Sequence, residues 1–213
     1  FLFVILFIAG AYFEDAWRNK TLPQFFKASA VLLVSALIGV AANLSNLYHT
    51  YTYSKETMRG KSELVQTGDA AKQTSSGLDR DYITNWSYGI GETWTLLVPN
   101  FKGGSSSAPL SQSEAAMEKA NPMYGSLYNS LPQYFGSQPW TAGPVYVGAF
   151  VLFLFVLGCF IVKGPLKWAL LGATFFSIVL AWGKNFMPLT DFFIDYVPMY
   201  NKFRAVSSIL VIA

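Results

Sequence analysis

The residues most able to do chemistry lie in the run NWSYGIGETW, where aromatic rings alternate with an amide and a carboxylate. Trp86, Tyr88 and Trp94 surround Glu92 in this run. Aromatic rings pack against the apolar faces of sugars, and carboxylates accept hydrogen bonds from sugar hydroxyls. Aromatic residues in this pattern are also typical of a segment that lies on a membrane surface. The run therefore predicts either a carbohydrate site or an interfacial segment.

Residues suited to holding a phosphate lie in two further segments, YSKETMRGKSEL and WGKNFMPLTDFFIDYVPMYNKFRAVS. These candidate binding residues are Arg59, Lys184, Asn185, Lys202 and Arg204. An arginine offers a planar fork of donors that matches phosphate oxygens. Three of the five have an alternative interpretation without a ligand. Arg59 could form a solvated ion pair with Glu56, and Lys202 and Arg204 could extend from a membrane interface into water.

Nucleophile and metal chemistry are mostly excluded by composition. His49 is the only histidine, and the only cysteine, Cys159, lies in an apolar run. Acid–base catalysis would therefore use carboxylates. The catalytic residue is unknown, and the weak candidates are Glu56, Asp79, Asp81 and Glu92. Gly89 and Gly91 lack the spacing of a dinucleotide-binding loop, so no cofactor is evident. No metal ligands are assigned, although a divalent ion held by carboxylates stays open.

The segments that must position these residues are apolar enough for a membrane. Apolar residues make up 53% of the chain and charged residues 13%, against about 25% charged in soluble domains. A spanning helix needs about 20 apolar residues, and its backbone must be hydrogen-bonded within the helix. Complete helical spans are predicted over 28–47, 145–162 and 166–182, and truncated spans over 1–13 and 206–213. The net charge of +3 is too small and too scattered to predict nucleic-acid binding.

Basic residues predict the orientation. Arg18, Lys20 and Lys27 fall in the loop 14–27, and Lys163 and Lys167 flank a Gly-Pro turn. The positive-inside rule makes both loops cytoplasmic. The predicted organisation, in chain order, is transmembrane helices over 1–47, a large extracytoplasmic loop over 48–143, a transmembrane hairpin over 144–182, an outer loop with an interfacial segment over 183–205 and a truncated span over 206–213.

The two segments with phosphate-binding candidates, together with NWSYGIGETWTLLVPNFKGG and TAGPVYVGAF, resemble the YfhO family of large bacterial multi-span proteins. The resemblance covers most of the chain, is closest to versions from Bacteroidetes-type bacteria and is most specific over 183–204. That family is similar to the GT-C glycosyltransferases, which transfer a sugar from a polyprenyl-phosphate donor to a cell-envelope acceptor. The resemblance implies an all-α integral membrane protein of the bacterial inner membrane, with a large mixed outer loop. This chain would be an internal fragment of its polytopic bundle.

The resemblance also implies roles and partners. Phosphate contacts would come from Arg59, Lys184, Lys202 and Arg204, and Trp86, Tyr88, Glu92 and Trp94 would surround the sugar. The catalytic carboxylate of GT-C enzymes usually lies in the first outer loop, which would precede Phe1. Expected partners are the bilayer, the lipid-linked sugar and the rest of the chain. Two other classes stay open: a scaffold, which predicts no cationic pocket, and a transporter, which predicts charges at bilayer depth.

Overall fold

The computed structural model describes residues 2–57, 78–143 and 145–213. Its α-helices are α1 (Leu2–Arg18), α2 (Leu22–Ala42), α3 (Leu44–Lys55), α4 (Arg80–Thr84), α5 (Glu114–Met117), α6 (Gly125–Tyr128), α7 (Ala149–Ile161), α8 (Pro165–Ala181) and α9 (Met187–Tyr196). Short 3₁₀-helices cover Gly91–Leu96, Leu110–Gln112, Pro122–Tyr124, Gly183–Phe186, Tyr200–Lys202 and Val206–Ile212. The described residues contain one isolated bridge and no strand. The all-α class is confirmed for them, and the described part of the long loop is helices and turns rather than mixed structure.

Helices α1 and α8 pack side by side and run antiparallel. The ring of Phe176 lies 5.3 Å from that of Phe3 and 5.8 Å from that of Phe7. Gly172 permits this approach, because a Cβ there would lie 2.9 Å from the Phe7 ring. At the other end of the pair, Arg18 and Gly164 line one groove. The two turns with basic residues therefore lie at the same end of the α1–α8 pair.

The loop predicted over 14–27 is much shorter in the structure. Helix α1 continues to Arg18, and α2 begins at Leu22. An ion pair of 2.6 Å between Glu14 and Arg18, one turn apart, supports the end of α1. Pro23 lies in the first turn of α2, where its missing N–H is tolerated. The prediction was wrong because charged residues change the solvation of a helix without ending it.

Only one helix among the described residues is long and apolar enough to cross a membrane. That helix is α2, whose 21 residues include none that is buried. Helices α8 and α9, with the short helix between them, could form a second, broken span, but they are bent by 106°. Helix α7 has 13 residues, or about 20 Å of the ~30 Å that a bilayer core requires. It starts late because Gly148 has a φ of +99°.

These bounds correct the predicted spans. The span predicted over 28–47 is α2, shifted towards the N-terminus and followed by α3 after Asn43. The span predicted over 145–162 is shorter, and the one over 166–182 matches α8 within a residue at each end. A multi-span bundle is not confirmed by these lengths.

The segment 206–213 is a 3₁₀-helix rather than a truncated α-helical span. It follows Ala205, whose φ of +66° is left-handed. The amide of Ser207 donates to the Trp86 carbonyl, and that of Ser208 donates to the Ala205 carbonyl, three residues back. An i→i+3 bond tightens the chain into 3₁₀ turns. The bond from Ser207 to Trp86, which is far away in sequence, therefore affects the backbone conformation at the start of this segment.

Parts of residues 78–96 and 183–207 pack together at the C-terminal end of α8. Leu78, Ile83, Ile194 and Val206 form a buried apolar cluster with Tyr200 against it. The amide of Leu78 donates to the Asn201 carbonyl at 3.0 Å. This cluster joins α4 and α9 to the start of the last 3₁₀-helix. We call α4, residues 85–96 and residues 183–207 together the α8-end unit.

Candidate functional site at the C-terminal end of α8

Ser87 lies at the centre of the α8-end unit and is completely buried. Its hydroxyl accepts the Lys184 amide at 2.8 Å and donates to the Thr84 carbonyl at 2.5 Å. Gly183 passes directly beside it with a φ of +46°. A Cβ on Gly183 would overlap the Ser87 hydroxyl and lie 2.5 Å from Val206 Cγ2. Residues 84–87, 183–184 and 206 therefore meet in a space that admits only glycine at 183.

Three further hydrogen bonds fix the same junction. The Tyr88 amide donates to the Ala181 carbonyl at 2.8 Å, and the Asn185 side chain donates to the Tyr88 carbonyl at 2.9 Å. The Trp182 indole donates to the Thr93 hydroxyl at 2.9 Å. These bonds bring together two of the residues predicted from the sequence to bind a ligand. Those residues are Tyr88 and Asn185, and the candidate Lys184 bonds through its amide to the neighbouring Ser87.

Arg204 lies on the surface of the unit, held by a side chain that sequence analysis did not select. Its Nη1 donates to the Tyr82 hydroxyl at 2.8 Å, and its Cζ lies 5.2 Å from the centre of the Tyr82 ring. Arg204 is exposed, so its remaining donors can reach solvent. The contact spans 122 residues, and local spacing could not have indicated it.

Arg80 was also not selected by sequence analysis, and its partners are carboxylates rather than a tyrosine. It donates to Asp191 and, at 2.6 Å, to Asp195. The two carboxylates lie one turn apart on α9, so one guanidinium bridges them. The hydrogen bond from Arg80 to Asp195 is the largest of the effects that raise the pKa of Arg80, and burial opposes it. Arg80 therefore connects α4 to α9 as an ion pair.

Glu92 is 3% exposed and holds two parts of the long loop together. Its Oε2 accepts the Gly89 amide at 2.5 Å, and its Oε1 accepts the hydroxyl of Tyr134. The Tyr134 oxygen in turn accepts the Gln138 amide at 2.9 Å. Burial, followed by the hydrogen bond to Glu92, raises the pKa of Tyr134. The carboxylate of Glu92 is thus fully engaged within the protein.

Tyr88 lies beside Glu92 and is also 3% exposed. Burial, and then the charge of Glu92, raises the pKa of Tyr88 to about 12. Tyr88 and Glu92 line a cavity of about 20 Å³, which has room for about one water molecule. Neither side chain presents a surface to a sugar, although both were predicted to bind one.

The remaining candidates are distributed between surface and structural positions. Trp94 is 56% exposed, Lys184 and Asn185 are exposed, and Trp86 and Lys202 are half-buried. Among the carboxylate candidates, Asp79 caps α4 by accepting the Asp81 amide at 2.9 Å. Asp81 itself is exposed, as is Glu56 at the end of α3. Arg59 lies outside the described residues.

No group of histidine, cysteine or carboxylate side chains in residues 2–57, 78–143 and 145–213 could hold a metal ion. Comparison with models of known protein families, with curated proteins and with solved structures found no match to this chain. The argument for a function therefore depends on the residues and geometry of the α8-end unit.

Proposed function

We propose that this chain is part of a membrane-embedded, glycosyltransferase-like protein of the bacterial inner membrane. The protein would use a polyprenyl-phosphate-linked sugar to modify a cell-envelope polymer. The observation that carries the proposal is the junction at the C-terminal end of α8, where hydrogen bonds join residues 86–88 to residues 181–185 and 207. Lys184 and Arg204 are exposed on the unit that this junction holds together, so cations belong to the unit packed where a membrane helix would end.

The bend after α8 supports contact with a bilayer at this end. If α8 crosses the membrane, α9 runs close to the membrane plane, because the angle between them is 106°. Phe192 is 53% exposed and Tyr196 is 74% exposed, and their rings lie 5.2 Å apart. Aromatic side chains of an amphipathic helix are favoured at the boundary between headgroups and acyl chains. The geometry therefore supports α9 as the interfacial segment.

The basic residues support the orientation. Arg18 and the turn at Gly164 share the opposite end of the α1–α8 pair, and Lys20 and Lys163 are adjacent in sequence to these turns. By the positive-inside rule, that end is cytoplasmic. The α8-end unit and most of the long loop then lie on the extracytoplasmic face, in a multi-span arrangement completed by the rest of the chain.

A lipid-linked sugar fits this arrangement. Its phosphate lies at the membrane surface, at the level where Lys184 and Arg204 are exposed. Its sugar extends away from the bilayer, towards the exposed ring of Trp94. Among the candidate carboxylates, Asp81 is exposed and adjacent in sequence to the tyrosine that holds Arg204, so we propose it as the one that acts on the sugar. The buried carboxylate of Glu92 is less suitable for catalysis because its oxygens are already engaged.

The test uses cells that lack the full-length protein and are complemented with wild type, Arg204→Ala, Arg59→Ala or Arg18→Ala. Arg18 is the matched control, an exposed arginine at the opposite end of the pair. Mass spectrometry measures envelope polymers and polyprenyl-linked sugars. We expect loss of one sugar decoration and accumulation of its lipid donor, both reversed by wild type and Arg18→Ala but not by Arg204→Ala.

An unchanged glycan and lipid profile in the deletion strain would contradict the transferase and favour the non-catalytic scaffold. If the sugar is still transferred normally but the polyprenyl-linked sugar is distributed differently across the membrane, the transferase is contradicted and a transporter is favoured. Normal decoration in both Arg204→Ala and Arg59→Ala cells would contradict the assignment of these arginines to the donor phosphate.

A further inference from the structure

The two arginines of the α8-end unit differ in what neutralises them. Arg80 uses both terminal nitrogens on the carboxylates of Asp191 and Asp195. Arg204 bonds instead to the neutral phenol of Tyr82, and the described residues give it no acidic partner. An arginine has five N–H donors, of which Tyr82 takes one. Arg204 therefore has no neutralising carboxylate among the described residues and keeps most of its donors, whereas the charge of Arg80 is balanced by two carboxylates.

Tyr82 is itself firmly placed. It lies in α4, which is capped by Asp79, and its neighbour Ile83 is completely buried in the apolar cluster. On the other side of the contact, Val206 packs beside Gly183 and fixes the chain two residues after Arg204. Both partners of the contact are thus attached to the core of the unit, and the guanidinium is held before any ligand arrives.

We propose that Tyr82 is a positioning residue that holds Arg204 as a binding group for a phosphate ester. The phenol of Tyr82 engages Nη1, and its ring centre lies 5.2 Å from Cζ. Because Arg204 is exposed, the other nitrogens are open to a ligand, and a guanidinium fork can bind two oxygens of a phosphate at once. Holding the side chain in advance reduces the entropy lost on binding. The inference that the phosphate belongs to a lipid-linked sugar rests on the proposed function. The inference that Arg204 binds a phosphate does not depend on it.

The experiment measures phosphate binding by the full-length protein in nanodiscs of phosphatidylcholine. One arm titrates inorganic pyrophosphate by calorimetry. The other compares nanodiscs with and without a polyprenyl monophosphate. Binding in the first arm identifies a site open to free phosphate, and binding confined to the second identifies a site that needs the lipid. Either result supports the proposal, and no binding in either arm by wild type overturns it.

Substitutions then test the role of Tyr82. We expect Arg204→Ala to weaken binding by about 10- to 100-fold, as for loss of a charge-assisted pair. Tyr82→Phe keeps the ring and loses the hydroxyl, so we expect a loss of about threefold, and Tyr82→Ala should lose more. Tyr124→Ala is the matched control, because Tyr124 is another exposed tyrosine of the long loop, 50% exposed.

A double-mutant cycle separates positioning from a general structural role. If Tyr82 acts through Arg204, Tyr82→Phe has no effect on binding once Arg204 is alanine. Equal effects of Tyr82→Phe in both backgrounds would overturn the proposal. Hydrogen exchange at the Leu78 amide, which bonds to Asn201, checks that the unit stays folded. If Tyr82 and Arg204 are coupled in phosphate binding but the glycan profile of the deletion strain is unchanged, this inference holds and the transferase proposal is contradicted. The two proposals therefore fail separately.

Discussion

Gly183→Ala should open the junction between α8 and the long loop. Gly183 follows the last turn of α8 with a φ of +46°. A Cβ there would lie 2.5 Å from Val206 Cγ2 and 3.0 Å from Ser87 Cβ. Ser87 is completely buried and Val206 is 9% exposed, so neither can move aside without disturbing the core. The added methyl group must therefore displace one of the segments that meet here.

Two effects set the size of the change. A left-handed conformation costs an alanine roughly 1 kcal/mol more than a glycine, and an extra carbon in a packed core costs about 1–3 kcal/mol. Together they predict that local opening becomes easier by about 2–4 kcal/mol. Since about 1.4 kcal/mol corresponds to a factor of ten, opening of the junction should become roughly 30- to 700-fold more frequent.

Hydrogen exchange of single amides is the suitable assay, because it reports local opening rather than unfolding of the whole chain. The Tyr88 amide, bonded to Ala181, and the Ser207 amide, bonded to Trp86, should exchange faster in Gly183→Ala. Gly158→Ala is the matched control, since no atom lies within 4 Å of its new Cβ. Unchanged exchange of both amides in Gly183→Ala would refute the packing argument.

Two further predictions concern the buried polar groups. Gly136→Ala should destabilise the loop by about 1–3 kcal/mol, because its Cβ would overlap the carboxylate of Glu92. Gly125→Ala should not destabilise the loop, because no atom lies within 4 Å of its new Cβ. Equal protease resistance of Gly136→Ala and Gly125→Ala would contradict this prediction. Burial raises the pKa values of Tyr88 and Tyr200 from 10.0 to about 12, so both favour the fold fully below pH 10 and lose this contribution as pH rises through 12. Ionisation of these two tyrosines, followed as the difference in tyrosinate absorbance between wild type and Tyr88→Phe or Tyr200→Phe, should rise together with unfolding in that range, and ionisation of either near pH 10 in the folded protein would contradict the burial.

Local patterns predicted the helical parts well. The apolar run and the Gly-Pro turn set α8 to within a residue of the predicted 166–182, because turn chemistry and hydropathy act within a few positions. The bounds failed where a distant residue intervened. The bond between Ser207 and Trp86 changes the start of the last segment, and no window of adjacent residues contains both partners.

Two contacts around the candidate residues could not be predicted for the same physical reason. Glu92 meets Tyr134, 42 residues away, and this contact makes a candidate ligand group into an internal support. Tyr82 meets Arg204 across 122 residues, and this contact makes an ordinary aromatic residue into part of a candidate site. Residue types in the run NWSYGIGETW indicated that polar and aromatic groups would be used, but not which of them would face outward.

The long loop divides its polar groups between two tasks. A buried polar group without a partner is costly, so the groups that enter the core must bond to one another. Ser87 and Glu92 do this: the bond of Ser87 joins the loop to the segment that follows α8, and the bonds of Glu92 join two parts of the loop. Arg204 is left on the surface of the unit, with a neutral partner and unused donors. If Arg204 binds a phosphate as proposed, holding its side chain in advance through Tyr82 reduces the entropy lost on binding.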